Sequence, residues 1–265
     1  MIYRALRYFN IRWSNVRLLI PVIVLLLSGC SEPVEESFTY SIDYSVSITF
    51  GEIQGDVVKP PKIDEIGNVT VIVPLPVLNK PIGLENLSIP KGWKVEVVKT
   101  PYGKMLKLSG EKVRTWVMSP MPVPIKEGSN VTPTPPMVKR AASYGFKLRL
   151  KLDREVNTLN PLNGEYVLKP KFNLREISCP EDYIKHYRNV KCYKYTTVIF
   201  YDSDPMVNAS IVVWLEGRNN WFQMGWTGNE FDDYVFAYVT NKGWHNVTGK
   251  LETGQGVYTS SGGSR

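Results

Sequence analysis

The chain has 265 residues and a formal net charge of +7, with three cysteines and two histidines. Four arginines within the first 17 residues provide much of that charge, and without them the chain carries +3. A net charge of this size is ordinary for solubility, so it excludes an electrostatic footprint for nucleic acid.

The N-terminal segment has the pattern of an export signal. Its four arginines come without any acidic residue, and residues 18–27 then run without a charge. A ten-residue helix spans about 15 Å, half of the roughly 30 Å hydrocarbon core of a bilayer, which argues against a transmembrane helix. We therefore predict a signal peptide over residues 1–29.

The signal ends in Leu27-Ser28-Gly29-Cys30, which resembles the lipobox of lipoprotein signal peptides. In that family the cysteine thiol is alkylated by a diacylglycerol group, and the signal is cut just before the cysteine. The resemblance implies that Cys30 becomes a lipidated N-terminus on the outer side of a membrane, because two acyl chains anchor stably where one does not. The alternative is an apolar signal that happens to contain a cysteine. Residues 30–37 are polar, as expected of a flexible tether.

A β-rich extracytoplasmic domain is predicted over residues 38–265. Residues 38–50 alternate between apolar and polar side chains without a fault, a period of two that indicates a half-buried strand. Eight further segments have a strand pattern: residues 69–73, 93–98, 105–108, 113–118, 146–152, 193–201, 211–215 and 234–239. Turn signals lie at residues 91–92, 102–103, 163–164 and 217–220. Short strands with frequent turns predict an all-β fold, an antiparallel β-sandwich that is one large or two small.

Residues 119–136 are rich in proline, which few strand positions tolerate. We predict a long surface loop or linker here, and this segment is the candidate for an internal domain boundary. A single β-rich unit is favoured over two, because the chain on each side of the segment alone has little material for a hydrophobic core.

Cys179 and Cys192 are the cysteines that remain once Cys30 is lipidated. An even number in an exported protein predicts one disulfide. A metal site is the alternative, but His186 is the only imidazole near them and further ligands are missing.

A short helix is predicted between these two cysteines. Ser178 and Glu181 have the spacing of a capping box, and residues 183–188 follow as the helix. The disulfide would then staple a helical insertion to the sheet.

Five Asn-x-Ser/Thr sequons are candidate glycosylation sites: Asn68, Asn86, Asn130, Asn208 and Asn246. A lipobox combined with abundant sequons is more typical of an archaeal surface protein than of a bacterial one. Residues 69–108 contain a strand, a Pro-x-Pro, and a Gly-Trp followed by a Tyr-Gly turn, and they look similar to segments of uncharacterised archaeal exported proteins. That resemblance implies location and fold, and no activity.

The sequence contains no motif for catalysis or cofactor binding. His186 and His245 lack a neighbouring nucleophile motif, and a Gly-x-Ser-x-Gly elbow, a phosphate-binding glycine loop and a Cys-x-x-Cys pair are absent from the sequence. The densest carboxylates, Asp202-x-Asp204 and residues 230–233, leave calcium open as an alternative. We predict no enzyme activity, no metal and no cofactor.

Nine aromatic residues lie within residues 214–244. Exposed rings stack on sugars, and Trp221, Trp226 and Trp244 are the candidates for a ligand-binding face beside polar side chains. The remaining strand-borne rings are expected in the core: Trp214, Tyr234, Phe236 and Tyr238.

These observations predict a lipid-anchored extracytoplasmic protein of the cell envelope that acts as a non-catalytic structural or interaction module. The alternative is a carbohydrate- or solute-binding module that uses the C-terminal aromatic residues. The predicted partners are the membrane, through lipid at Cys30, and a glycan or an envelope protein. The three tryptophans grouped on one open face would favour the binding module.

Overall fold

The computed structural model describes residues 38–55, 57–77, 86–121, 135–222 and 226–256, with the backbone alone for Phe222 and Trp226. Strands contain 71% of these residues and helix almost none, so the protein is all-β, as predicted. No helix in these ranges has both the length and the hydropathy to cross a bilayer. The predicted signal peptide, the tether and Cys30 lie outside the described residues.

The elements are numbered in chain order. The strands are β1 Thr39–Phe50, β2 Glu52–Gln54, β3 Val57–Lys59, β4 Glu65–Val73, β5 Leu75–Pro76, β6 Trp93–Thr100, β7 Gly103–Arg114, β8 Trp116–Pro120, β9 Met137–Ala141, β10 Ser143–Leu152, β11 Leu168–Lys169, β12 Phe172–Ile177, β13 Tyr187–Asp204, β14 Ala209–Phe222, β15 Trp226–Val239 and β16 Gly243–Gly256. The helix α1 is Glu181–His186, and Pro161–Asn163 form a short 3-10 turn.

One antiparallel sheet dominates the fold. Its strand order is β10-β1-β14-β15-β16-β13-β4-β7-β6, and β12 pairs with β13 beside this path. The pairs β2–β3, β5–β11 and β8–β9 form separate two-stranded ladders. Because β8 and β9 pair with each other, the chain on the two sides of the proline-rich segment is joined by a ladder.

The large sheet curls until its two edges face each other. Ser88, which precedes β6, exchanges two backbone hydrogen bonds of 2.8 and 3.3 Å with Lys147 of β10. The ring of Trp93 on β6 also lies 5.2 Å from the ring of Phe146 on β10. The concave side of this curl encloses one hydrophobic core to which strands on both sides of the proline-rich segment contribute. The two-layer sandwich stays a prediction.

Strand β1 confirms the prediction made from its alternation. Its core-facing side chains are at most 2% exposed: Ile42, Tyr44, Val46, Ile48 and Phe50. Burial of each such side chain contributes about 1.5–3 kcal/mol, and β1 pairs along its length with both β10 and β14.

The turn predicted at residues 217–220 is wrong, because these residues lie inside β14. Gly217 fits there since a Cβ would meet the Phe231 ring at 2.2 Å. Asn219 is buried, and its side chain accepts the Val156 N–H at 2.8 Å and donates to the Val156 carbonyl at 2.6 Å. Residues typical of a turn therefore serve as a close-packing position and a polar anchor within a strand.

The helical insertion is present, with a different start. Helix α1 begins at Glu181 after Pro180, and no side chain caps it, so the predicted Ser178 capping box is wrong. The Cys179–Cys192 disulfide, predicted from the cysteine count, is present and joins the segment before α1 to β13.

Candidate functional site

The outer face of β14 and β15, the side turned away from the core, carries the candidate site. Val213 and Leu215 of β14 face the core, so by alternation Trp214 and Glu216 lie on the outer face. Antiparallel pairing sets Trp214 beside Tyr234 and Glu216 beside Asp232. Aromatic and acidic side chains thereby form two adjacent rows across the sheet.

One of these rows consists of four carboxylates, here called the acid row: Asp43, Glu216, Asp232 and Glu252. The register pairs Asp43 with Glu216, Glu216 with Asp232, and Asp232 with Glu252 across β1, β14, β15 and β16. Like charges directly opposite each other destabilise a sheet. The row therefore costs folding free energy unless protons or cations compensate it.

Protons compensate part of the row. Burial, and next the charge of Asp232, raise the pKa of Glu216 to about 7, against the opposing effect of Arg218. Burial also raises the pKa of Asp232 to about 6, although a hydrogen bond from Trp214 opposes the shift. The pKa of Glu252 is raised by burial too. The centre of the row therefore exchanges protons near neutral pH.

Arginines compensate the edge of the row. The Arg149 Nε lies 2.5 Å from Asp43 Oδ1, and this hydrogen bond raises the pKa of Arg149. Arg218 pairs with Glu216 and lies 3.5 Å from Glu230. Asp43 and Glu216 thus have arginine ion-pair partners, whereas Lys250 acts on Glu252 through its charge alone.

The second feature is a strip of rings, here called the aromatic strip: Trp214, Tyr234, Phe236 and Tyr238. Their exposures are 43%, 39%, 42% and 38%, so the prediction that these rings belong to the core is wrong. The core positions of β15 are taken instead by its smaller aliphatic side chains, Val235, Ala237 and Val239. The larger rings occupy the alternate positions of the strand, which point away from the core, and remain on the surface.

Trp214 connects the strip to the acid row. Its Nε1–H donates a hydrogen bond of 2.8 Å to Asp232 Oδ1. Its ring stands between two shallow depressions, one of about 300 Å³ that reaches Lys250 and one of about 440 Å³ that reaches Arg149. An apolar platform with carboxylates and a cation beside it can stack on a flat ligand and hydrogen-bond its rim.

The stapled helix lies against the neighbouring part of this face. Tyr183 of α1 stacks on Tyr187 with ring centroids 4.6 Å apart, and the Tyr187 hydroxyl donates to Glu230. Burial, and next the charges of Asp232 and Glu230, raise the pKa of Tyr183. Helix α1 and the start of β13 therefore place two tyrosines close to carboxylates of this face.

The predicted glycosylation sites lie mostly on the surface. Asn68, Asn86 and Asn246 are exposed. Asn208 is half-buried, and its amide donates a 3.1 Å hydrogen bond to the Tyr238 hydroxyl. Asn130 lies outside the described residues.

Of the three predicted ligand-binding tryptophans, Trp221 and Trp244 lie far apart. Trp221 is half-buried and pairs with Thr227 near the start of β15, whereas Trp244 is the second residue of β16, which follows the other end of β15. Trp244 is 37% exposed and packs edge-on against Tyr102 and Phe200. The side chain of Trp226 lies outside the description.

The histidines and the remaining acids do not converge. His186 lies on α1, and a ring nitrogen of His245 is 2.9 Å from the Asn241 carbonyl oxygen. Asp202 pairs with Lys242 at 2.6 Å. Within the described ranges, no group of three or more His, Cys, Asp or Glu side chains has the arrangement of a metal site.

Comparison with known proteins gives no relative. The chain matches no protein-family model, no curated protein and no solved structure. The proposal that follows therefore depends on the sequence and on the geometry of the outer face.

Proposed function

We propose that the protein is a lipid-anchored extracytoplasmic component of the cell envelope that acts as a non-catalytic interaction module. Cys30, at the end of the signal, is the proposed attachment point of the lipid, and the sequons are proposed to carry glycans. For the packing of the β-domain we propose a β-sandwich, supported by the curl that brings β6 opposite β10.

The observation that carries an interaction function is the exposed aromatic strip. Four large rings on neighbouring positions of β14 and β15 leave about two fifths of their surface in water. A contiguous apolar patch rimmed by polar groups is the usual mark of a binding surface, and aromatic side chains provide much of the affinity at such surfaces. The acid row alongside would give the surface a preference for cationic or hydroxyl-rich partners.

The tether is tested by intact mass on protein purified from host membranes. We expect a chain that begins at residue 30 and carries added lipid mass, and a Cys30→Ser variant in the soluble fraction. A chain that is uncleaved, or cut elsewhere without lipid, contradicts the anchor.

The interaction surface is tested on the soluble Cys30→Ser protein, whose binding to isolated host envelopes is measured by co-sedimentation. Introducing Trp214→Ala and Phe236→Ala together into this protein should lower binding at least tenfold, since each substitution removes an exposed ring of the aromatic strip. Val97→Ala on β6 is the matched control, because Val97 is 43% exposed but lies far along the strand order. Equal binding by the Cys30→Ser protein, the protein that lacks the two rings and the Val97→Ala control contradicts the proposal.

Carbohydrate binding is the second candidate, favoured by the position of the Trp214 ring between two depressions that have charged residues in their lining. Sugars bind proteins through ring stacking combined with carboxylate hydrogen bonds, and Asp232 and Glu216 stand beside this ring. Titration with polysaccharides and oligosaccharides should change tryptophan fluorescence, and Trp214→Ala should abolish the change while Trp244→Phe retains it. A response that depends on Trp244 instead would move the site to the other end of β15.

A further inference from the structure

Beneath the outer face, a lysine and an aspartate meet in the core. The Lys171 side chain is 3% exposed and the Asp233 side chain is fully buried. The Lys171 Nζ lies 2.7 Å from both carboxyl oxygens of Asp233. In addition, the Tyr195 hydroxyl donates to Oδ1 at 2.5 Å, and the Leu168 N–H donates to Oδ2 at 2.8 Å. The amine, the carboxyl group and two donors to its oxygens thus converge out of contact with solvent.

Different elements fix these groups in place. Lys171 follows β11 and precedes β12, Asp233 is a core-facing residue of β15, and Tyr195 is a core-facing residue of β13. The Nζ lies 3.4 Å above the centre of the Tyr195 ring. Gly249 of β16 makes room for that ring, because a Cβ there would meet it at 2.2 Å. The packing therefore leaves the amine little freedom to move away from the carboxyl group.

Burial changes the chemistry of this pair. It lowers the pKa of Lys171 to about 8, against the opposing effect of the Asp233 charge. Burial and the neighbouring Asp233 also raise the pKa of the Tyr195 hydroxyl, so the phenol keeps its proton. In a site of low dielectric constant, transfer of a proton from the ammonium to the carboxylate gives a neutral amine beside a neutral acid without separating charge. A neutral amine is a nucleophile, and the carbonyl carbon of a carboxylic acid is an electrophile.

We propose that Lys171 and Asp233 condense into an intramolecular isopeptide bond. The Nζ lone pair forms a bond to Cγ of Asp233, and one Cγ–O bond breaks. The departing oxygen leaves as water with two of the three ammonium protons, so the step is a condensation that needs no oxidant or other reactant. The Tyr195 hydroxyl and the Leu168 N–H contact the two oxygens and stabilise the negative charge that develops on them during the attack.

The position of the amine supports a reaction as well as an ion pair. Equal 2.7 Å contacts to both oxygens hold Nζ about 3 Å from Cγ on the side of the two oxygens, so the attack requires only that Nζ tilt out of the carboxylate plane toward the face of Cγ. Held reactants of this kind reach effective molarities on the order of 10⁵–10⁸ M, which offsets the unfavourable equilibrium of amide formation in water. The bond would tie the β11–β12 connection to β15 and, unlike the disulfide, would survive reduction.

Peptide mapping of the full-length protein tests the bond directly. The protein is denatured, reduced, alkylated and digested with trypsin. Trypsin does not cut before Pro170, and an acylated Lys171 is not cut either, so the bond predicts residues 155–175 joined to residues 219–242, lighter by one water than their sum. Neither peptide contains a sequon, so glycans do not change its mass. Separate peptides with cleavage after Lys171 overturn the proposal, because they leave an ion pair only.

Variants assign the roles. Lys171→Arg retains the cation without a nucleophilic amine and should give only separate peptides, whereas Lys250→Arg on the outer face should leave the joined peptide at its wild-type yield. Tyr195→Phe keeps the ring and removes the hydroxyl, and we expect the joined fraction to fall at least tenfold at early times after synthesis. A wild-type yield in Tyr195→Phe overturns the role given to the phenol, and a joined peptide in Lys171→Arg overturns the assignment of the linked amine.

Discussion

Asp232 and Asp233 are consecutive residues of β15, and they lie on opposite faces of one sheet. Asp233 faces the core and has a lysine, a phenol and a backbone N–H as partners. Asp232 faces outward, where it accepts one hydrogen bond from Trp214 and stands between Glu216 and Glu252 in the acid row. The inner carboxyl group is fully buried but matched by donors, whereas the outer one has a carboxylate on each side of it in the sheet.

The comparison shows that the contribution of a carboxylate to stability depends more on its partners than on how deeply it is buried. A buried carboxylate is strongly destabilising when its cationic partner is removed, because its charge is left without compensation. A row of like charges is destabilising while it is intact. Removing a partner of Asp233 on the inner face should therefore lower stability, whereas removing a charge from the acid row on the outer face should raise it.

The largest effect is expected from removal of the amine on the inner face. Lys171→Met leaves the Asp233 carboxylate in the core without its cation, which should lower the free energy of unfolding by about 3–5 kcal/mol. Urea denaturation measures the change. Lys250→Met on the outer face is the control and should change stability by less than about 0.5 kcal/mol. Similar losses in both variants would contradict the contrast between the faces.

The next effect comes from the space beneath Tyr195. Gly249→Ala places a methyl group 2.2 Å from the Tyr195 ring, so the ring or the strand must shift at a cost of about 1–3 kcal/mol. Gly145→Ala on β10 is the matched control, since its nearest neighbour there is the Lys147 side chain at 3.9 Å. Thermal unfolding compares the two, and an equal melting temperature would show that the ring moves freely.

The acid row predicts how stability depends on pH. The folded pKa of Glu216, about 7, lies above its ordinary value of 4.5, so between these values the folded protein binds more protons than the unfolded chain. The free energy of unfolding therefore falls as pH rises from 5 to 8, by on the order of 1–2 kcal/mol. Glu216→Gln removes this contribution and should flatten the profile. A wild-type protein that gains stability over this interval would be inconsistent with the raised pKa.

The smallest effect is expected on the aromatic strip. Phe236→Ala removes a ring that is 42% exposed, so the free energy of unfolding should fall by less than about 1 kcal/mol. Val235→Ala removes a smaller but fully buried side chain of the same strand, at a cost of about 1–2 kcal/mol. Chemical denaturation ranks the two. If Phe236→Ala is the more damaging variant, the strip is stabilising the fold and its exposure is not evidence of a binding role.

Much of the strand framework could be predicted from the sequence, because periodicity is a local property. The alternation of residues 38–50 has polar side chains on one parity only, so it identifies both the strand and its buried face. The single disulfide followed from the cysteine count in the same way. Neither prediction required knowledge of which strands are neighbours.

The orientation of β15 could not be predicted, because both sets of alternating positions carry apolar side chains that could face the core. Residues 234–239 alternate rings with aliphatic side chains, and each parity also begins with an aspartate, Asp232 or Asp233. The choice depends on the facing strands, since the aliphatic set packs into the core while Lys171, distant in sequence, provides the partner that lets Asp233 lie inside. Strand β16 was missed for a related reason, because its inward Gly249 fits the Tyr195 ring but has no apolar signal of its own.

The curl of the sheet has a consequence for self-association. The two strands that end the sheet carry charged side chains on their outer parity, at Lys147, Arg149 and Lys151 of β10 and at Lys94 and Glu96 of β6. Exposed strand edges are templates for pairing with another chain, and charges on them oppose such pairing. Ser88 already occupies part of the β10 edge through its two backbone hydrogen bonds with Lys147. Addition of a second copy along the rest of β10 would set lysines and arginines against each other, so the curl and these charges both oppose edge-to-edge pairing.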